Sequence, residues 1–300
     1  MIESVLLVGG SGFIGSHVAR RLAARGLRVT VATRRRERAK HLILLPTVDV
    51  VEIDLDDDAA LARLCAGQDA LVNLVGVLRG GNGEPYGPGF AGAHVALPDR
   101  LARAAWAAGI PQLAHLSALK AAADAPSGYL RSKAAGENAV RKAFPNATIF
   151  RPSVVFGDGD SFLTMFSRLL KYLPIMPLAS PDARFQPVWV GNVADAIVEA
   201  LLRPEADGKT FELCGPRQYT LRELVKLTAR VTGRRRAVLG LSPLFSWLQA
   251  YLLEVVGGPM TRDNLRSMSV PNVCAEGRTL PFNLAAAALE DVAPRYLRNR

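Results

Sequence analysis

At 300 residues, 49% of them hydrophobic, the chain can bury a large core and is longer than one nucleotide-binding sheet requires. Its net charge of +10 raises the question of a nucleic-acid partner. The basic residues, however, scatter along helix faces such as Arg20, Arg21 and Arg25, with runs only at 34–38, 234–236 and the C-terminus, and no nucleic-acid module accompanies them, so none is expected. The first strand-like run begins at Val5, leaving no room for a charged and apolar leader, so a cytoplasmic protein is expected.

Residues 5–15 read Val-Leu-Leu-Val-Gly-Gly-Ser-Gly-Phe-Ile-Gly, a strand running into a glycine turn and then a helix over Ser16–Arg25. In such a turn Gly9 permits the tight bend, Gly12 lets backbone N–H groups approach a pyrophosphate, and Gly15 lets the helix pack on the strand. The helix N-terminus faces the anion with unpaired N–H groups and its positive dipole end. Gly9, Gly10, Ser11, Gly12, Phe13, Ile14 and Gly15 are therefore candidate cofactor contacts.

Apolar runs recur at 5–8, 28–32, 48–53, 70–75, 112–117 and 148–150, separated by helical patterns. This alternation predicts an α/β doubly wound parallel sheet of the Rossmann type. Gly26 ends the first helix, and Gly109 with Pro111 ends the helix that starts near Ala93. At the end of the second strand, where NAD-specific sites carry a carboxylate for the ribose 2′-OH, the chain has Ala32-Thr33-Arg34-Arg35. A hydroxyl and two guanidinium groups suit a 2′-phosphate, so NADPH or NADP is preferred over NAD. Asp54-Leu55 follows the third strand, where a carboxylate can accept adenine amino hydrogens. Asn73-Leu74-Val75-Gly76 closes the fourth, beside the cofactor ribose. The glycine-rich loop from Arg79 to Gly92 reads equally as a mobile surface loop and as a substrate gate.

Tyr129 and Lys133 stand four residues apart, on one face of a helix. A lysine beside a phenol stabilises phenolate, so the tyrosine can relay a proton to or from a carbonyl or hydroxyl. Ser117, closing the fifth strand, can hold the reacting oxygen. Ser117, Tyr129 and Lys133 are the candidate catalytic set. No His-Glu-x-x-His or Gly-x-Ser-x-Gly occurs and the four histidines are dispersed, which disfavours metal and serine hydrolases. Cys65, Cys214 and Cys274 are odd in number and widely spaced, and are expected to be buried small residues rather than a disulfide or a zinc site.

Past Pro152 the pattern loosens: a helix at 161–172, a strand around 185–190, helices at 192–202 and 220–232, and a strand at 209–213. The expected division is a NAD(P)-binding Rossmann domain over 1–157, then an interleaved last sheet segment, substrate lobe and apolar helix over 158–300. The stretch 237–253 carries no charge and is too short and interrupted to be a membrane span. It reads equally as an interfacial helix, with Arg234 to Arg236 able to meet anionic lipid or a protein partner, and as a lid on the lobe.

Taken together, the glycine turn, Asp54-Leu55, Asn73-x-x-Gly76, Ser117, Tyr129-x-x-x-Lys133 and Arg151-Pro152-Ser153-x-x-Phe156-Gly157 resemble the extended or atypical short-chain dehydrogenase/reductases, which include nucleotide-sugar epimerases. In the second half, 185–190, Leu213-Cys214-Gly215-Pro216, Tyr219–Leu224, Met260–Leu265 and Pro271-Asn272-Val273 resemble bacterial relatives of the alpha-subcomplex subunit nine of respiratory complex I. The first resemblance implies hydride transfer at a carbonyl or alcohol of an unnamed small-molecule substrate, and adds Tyr129, Lys133 and Pro152 to the cofactor contacts. The second implies bound NADPH, contact with complex I and a structural rather than catalytic role. Two positions depart from the extended pattern: His94 stands where Asn is common, and Asn192 stands near an expected Asp.

Overall fold

The computed structural model describes residues 2–258, 260–275 and 280–298. Its centre is a seven-stranded sheet. In chain order the first half runs β1 (Ser4–Val8), α1 (Phe13–Ala24), β2 (Arg28–Thr33), β3 (Val48–Glu52), α2 (Asp58–Cys65), β4 (Ala70–Asn73), a single turn α3 (Pro88–Phe90), α4 (Leu97–Ala107), β5 (Gln112–Leu116), α5 (Gly128–Ala143) and β6 (Thr148–Pro152). The second half runs β7 (Val155–Phe156), α6 (Phe162–Tyr172), β8 (Ile175–Leu178), β9 (Arg184–Phe185), β10 (Val188–Trp189), α7 (Val190–Leu201), β11 (Thr210–Leu213), β12 (Tyr219–Thr220), α8 (Leu221–Val231), β13 (Ala237–Gly240), α9 (Pro243–Val255), α10 (Arg262–Ser267) and α11 (Leu289–Leu297).

The sheet order is β11-β6-β5-β4-β1-β2-β3, with every neighbouring pair parallel. Chain order reverses between β1 and β4. That reversal opens a crevice at the carboxyl ends of the strands, where open α/β sheets bind ligands. The strands are apolar runs because both faces are covered: Val5, Leu7, Val29 and Val31 meet α1 and α7 on one side, while Leu6, Val8, Leu71 and Ile149 meet α4 and α5 on the other. Each fully buried Val or Leu contributes about 1.5–3 kcal/mol.

Residues far along the chain complete the first core. Helix α7 packs in the same cluster as α1, and Arg21 and Arg25 pair with Asp195 and Glu199 across that contact at 2.6 and 2.5 Å. A second core joins α6, α8 and α11 through Leu163, Phe166, Leu224, Val225 and Ala293. Helix α8 begins with a capping box, Thr220 and Glu223 exchanging side-chain to backbone bonds, which satisfies two otherwise unpaired N–H groups. The expected strand around 185–190 is two short strands, because Gln186-Pro187 interrupts the pairing. The first helix starts at Phe13 rather than Ser16.

The cysteine expectation is corrected. Cys214 and Cys274 form a disulfide, although 60 residues separate them. Cys214 follows β11, and the segment before Cys274 is drawn alongside β9 by a bridge between Phe185 and Asn272, which brings the two Cα atoms to 6.1 Å, within disulfide reach. Only Cys65 is a buried free cysteine, and burial pushes its thiol up to about 11. Among the described residues no helix is long and apolar enough to cross a membrane.

Candidate active site

The turn after β1 is built by close approach. Gly9 has φ +85°, and a Cβ there would lie 3.0 Å from the backbone of Leu74 and Val75. At Gly15 a Cβ would lie 2.3 Å from Gly9 O, so α1 is pressed against the turn. At Gly12 only Gly9 O, at 3.2 Å, lies near the Cβ position, and the residue faces an open cleft of about 550 Å³. Backbone, not side chain, therefore meets whatever enters the cleft.

Gly9, Ser11, Gly12, Thr33, Arg34, Arg35, Asp54, Leu55, Leu74, Val75 and Gly76 line this cleft. Gly10, Phe13, Ile14, Gly15, Asn73 and Pro152 do not. Gly10 is closed off by Val31, and Ile14 packs into the core. Phe13 meets His17 edge-on. Asn73 is buried, its Oδ1 accepting from Val75 N at 3.1 Å and its amide 3.1 Å from His115 Nδ1, so it shapes the loop rather than the cleft wall. Pro152 is a buried strand residue paired with Leu213.

At the adenosine end, the Thr33 hydroxyl is committed to its own turn: it donates to Arg35 O at 3.1 Å. It therefore has no proton for a phosphate. Exposed Arg34 and Arg35 are joined there by Arg38, which also lines the cleft and which one turn of helix after Arg35 sets on the same side. Arg100 enters from α4, held by Asp56 and Asp58 at 3.0 and 2.7 Å. No carboxylate stands at the end of β2. The donors present fit a nicotinamide dinucleotide, with glycine backbone for the diphosphate and guanidinium groups beside the end of β2.

Helix α5 carries Tyr129 and Lys133; neither they nor Ser117 line the cleft, and the connection to it runs through Gly76, which does. Ser127 caps the helix, accepting from Leu130 N at 3.2 Å. Asp263 of α10 adds a second cap, its carboxylate accepting from Gly128 N at 2.7 Å and Tyr129 N at 3.1 Å. Lys133 is 4% exposed and its Nζ donates to Leu116 O at 3.0 Å, which places the ammonium beside the residue preceding Ser117. A Cβ at Gly76 would lie 3.3 Å from the same Nζ, so the ends of β4 and β5 converge on it. Burial pulls Lys133 down to about 8 despite the nearby Glu137, and pushes the Tyr129 phenol up to about 12. Sequence reasoning expects lysine to stabilise phenolate, but in the protein alone burial is the larger effect and the phenol stays protonated. Ser117 is 4% exposed and its Oγ has no hydrogen-bond partner, an uncompensated polar group that a substrate oxygen would satisfy.

The structure also brings together two of the dispersed histidines. His94 lies in a π-helical turn, Ala91–Ala96, pressed against α5 so closely that a Cβ on Gly136 would lie 1.9 Å from His94 O. Its ring stacks on Phe90 and meets Tyr129 edge-on at 5.5 Å. Ser132 Oγ donates to Tyr129 O at 2.7 Å, so His94 Nδ1, 2.9 Å from Ser132 Oγ, donates to that hydroxyl, while His94 Nε2 accepts from Val77 N at 3.0 Å. The ring is thus neutral and braces both Tyr129 and the cleft loop. Burial, then Lys133 and His115, pull His94 down to about 2; burial and Lys133 pull His115 to about 3. Asn192 clamps the C-terminal segment, donating to Ala285 O at 2.8 Å and accepting from Ala287 N at 2.9 Å. Among the described residues no group of three or more His, Cys, Asp or Glu could hold a metal ion.

Residues 5–214 match the NAD dependent epimerase/dehydratase family. The mouse mitochondrial NADH dehydrogenase [ubiquinone] 1 alpha subcomplex subunit 9 is 35% identical over 80% of this chain and 64% of its own length, so the chain spans less than two thirds of that relative. A ceramide reductase of Caulobacter vibrioides is 33% identical over 79% of this chain and 73% of its own. Among solved structures, the UDP-glucose 4-epimerase of Thermus thermophilus in complex with NAD superposes with a TM-score of 0.65 at 22% identity, covering 83% of this chain and 93% of that one; it shares the fold. The chain belongs to the NAD dependent epimerase/dehydratase family.

Proposed function

We propose that the protein is an NADP(H)-dependent short-chain dehydrogenase/reductase acting at the carbonyl or alcohol carbon of a small molecule. The observation that carries this reading is the buried, unpartnered Ser117 Oγ next to the residue bonded by Lys133, which follows Tyr129 by four residues, about one turn, along α5. Ser117 orients the substrate oxygen. Tyr129, held as a neutral phenol, gives that oxygen its proton as the carbon is reduced, and the Lys133 ammonium balances the phenolate left behind. When bound, the reduced nicotinamide supplies the hydride. His94 holds the Tyr129 ring and the loop at Val77 in place. The reductase among the relatives supports this direction.

The cofactor assignment rests on Arg34, Arg35 and Arg38. Isothermal titration is expected to show NADPH binding at least about tenfold tighter than NADH, since each charge-assisted phosphate contact contributes about 1.5–3 kcal/mol. The double substitution Arg34→Ala/Arg35→Ala should collapse that ratio towards one while leaving NADH affinity unchanged. Equal affinities in the wild type would remove the assignment. Gly12→Val, which puts a branched side chain where only backbone faces the cleft, should abolish binding of both dinucleotides in a folded protein.

A second reading follows from the 35% identity to the mouse subunit: a non-catalytic holder of NADPH attached to respiratory complex I. Copurification with respiratory subunits, cofactor that resists dialysis and no turnover would establish it.

A further inference from the structure

Helix α9 inverts the pattern of a helix on a protein surface. The residues it buries are small, Ser246 and Ala250, and it is held by polar contacts, Gln249 Nε2 donating to Pro177 O at 3.2 Å and Ser246 Oγ accepting from Ser180 N at 3.4 Å. Its large apolar side chains point outward: Leu244 is 72% exposed, Phe245 59%, Trp247 47%, Leu252 55% and Val255 69%. Leu248, Tyr251 and Val256 extend this exposed face, and contiguous apolar patches larger than a few hundred Å² mark interaction sites. Such a face has a partner.

Its chemistry identifies which. Trp247 and Tyr251 stack with an interplanar angle of 2°, two amphipathic rings of the kind that settle at a membrane–water boundary. The one charge on α9, Glu254, is paired with Arg262 at 3.0 Å, whose guanidinium also lies over the Tyr251 ring at 5.3 Å. Beside it, exposed Ile175 and Leu239 of the β8–β13 ribbon lead to a basic rim. Arg234 and Arg236 donate to Ser167 O and Leu170 O, each at 3.0 Å, which sets the 234–236 run against the end of α6, where Arg168 and Lys171 are exposed. An aromatic and aliphatic face on α9, joined through β13 to the basic run at 234–236, on a chain of net charge +10, complements an anionic phospholipid surface.

We propose that α9 and its basic rim dock the protein on the surface of an anionic phospholipid bilayer, without crossing it. The docking is independent of the catalytic reading. It would nonetheless bear on the site, since α10, next to α9, caps the helix that carries Tyr129 through Asp263, and Arg79 of the glycine-rich loop donates to Gly257 O at 3.0 Å just beyond α9.

The test is sedimentation of the full-length protein with vesicles of phosphatidylcholine alone and of phosphatidylcholine mixed with phosphatidylglycerol. The wild type should bind the mixed vesicles and bind neutral ones weakly. The triple substitution Phe245→Ser/Trp247→Ser/Leu252→Ser should lower partitioning to the mixed vesicles by at least about tenfold, and Arg168→Glu/Lys171→Glu/Arg235→Glu should remove the preference for anionic lipid. Both variants should titrate with NADPH as the wild type does, which shows that they are folded. A failure of all three proteins to bind NADPH would count against the cofactor reading, with folding then checked by circular dichroism and the vesicle result standing. The docking is overturned if the wild type stays in the supernatant with mixed vesicles, or if the triple variant sediments like the wild type. It is also overturned if the wild type is a dimer in solution that the triple variant converts to monomer, because a second copy then covers α9.

Discussion

Tyr129→Phe is expected to lower turnover of a carbonyl substrate by about a hundredfold or more while leaving NADPH affinity nearly intact. The ring keeps its edge-on contacts with Phe90 and His94, so the cleft keeps its shape, and only the proton is lost. Lys133→Ala should impair both turnover and cofactor binding, because it removes the bond to Leu116 O together with the charge that balances phenolate. Reduction needs the lysine charged. With Lys133 at about 8, kcat/KM should be flat below that pH and fall above it by roughly tenfold per unit. Steady-state kinetics of the wild type and both variants across pH check this. A Tyr129→Phe enzyme that turns over like the wild type would take the phenol out of the mechanism.

The second large effect is on stability. His94 and His115 have folded pKa values of about 2 and about 3, below the ordinary 6.5. Between those limits the unfolded chain binds two protons that the folded chain does not, so stability is complete above 6.5 and is lost as pH falls through that window. Two protons give a slope of about 3 kcal/mol per pH unit, or about 4 kcal/mol between pH 7 and pH 5. Lys133 adds no slope there, since it is charged in both states. Protonating His94 would also cost the bond its Nε2 accepts from Val77 N. Urea unfolding at stepped pH measures this. His94→Asn, which keeps a polar side chain at the bracing position, should reduce the slope by about half. An unfolding free energy that stays flat from pH 7 to pH 5 would mean that these rings are solvated.

The sheet was legible because its signals are local. Apolar runs, glycine turns and the order of strands and helices are written over short stretches, and the turn at Gly9, Gly12 and Gly15 carries its geometry in its spacing. The cleft-lining residues after β2, β3 and β4 were found in the same way, as positions at strand ends. What escaped depends on contacts between distant parts of the chain. Asp263 caps α5 from 134–135 residues away; the disulfide closes a separation of 60; His94 and His115 become neighbours only when the π-helical turn is pressed against α5 by Gly136. Arg38 was within reach, since its spacing from Arg34 and Arg35 sets it on the same side of the turn after β2. The apolar stretch at 237–253 could be read as interfacial or as a lid because periodicity shows that large and small residues segregate, but not which side meets the lobe. The buried stripe at Ser246 and Ala250 settles which side that is.

The most direct measurement of the central claim is isotope transfer. NADPH carrying deuterium at the nicotinamide C4 is incubated with the wild-type protein and a panel of carbonyl compounds, and the alcohols formed are examined by mass spectrometry. The account predicts deuterium at the former carbonyl carbon of at least one product, at a level about a hundredfold lower with Tyr129→Phe. Tight NADPH binding with no label in any product, in protein that copurifies with respiratory subunits, would contradict it and leave Tyr129 and Lys133 as contacts of a cofactor that is held but never used.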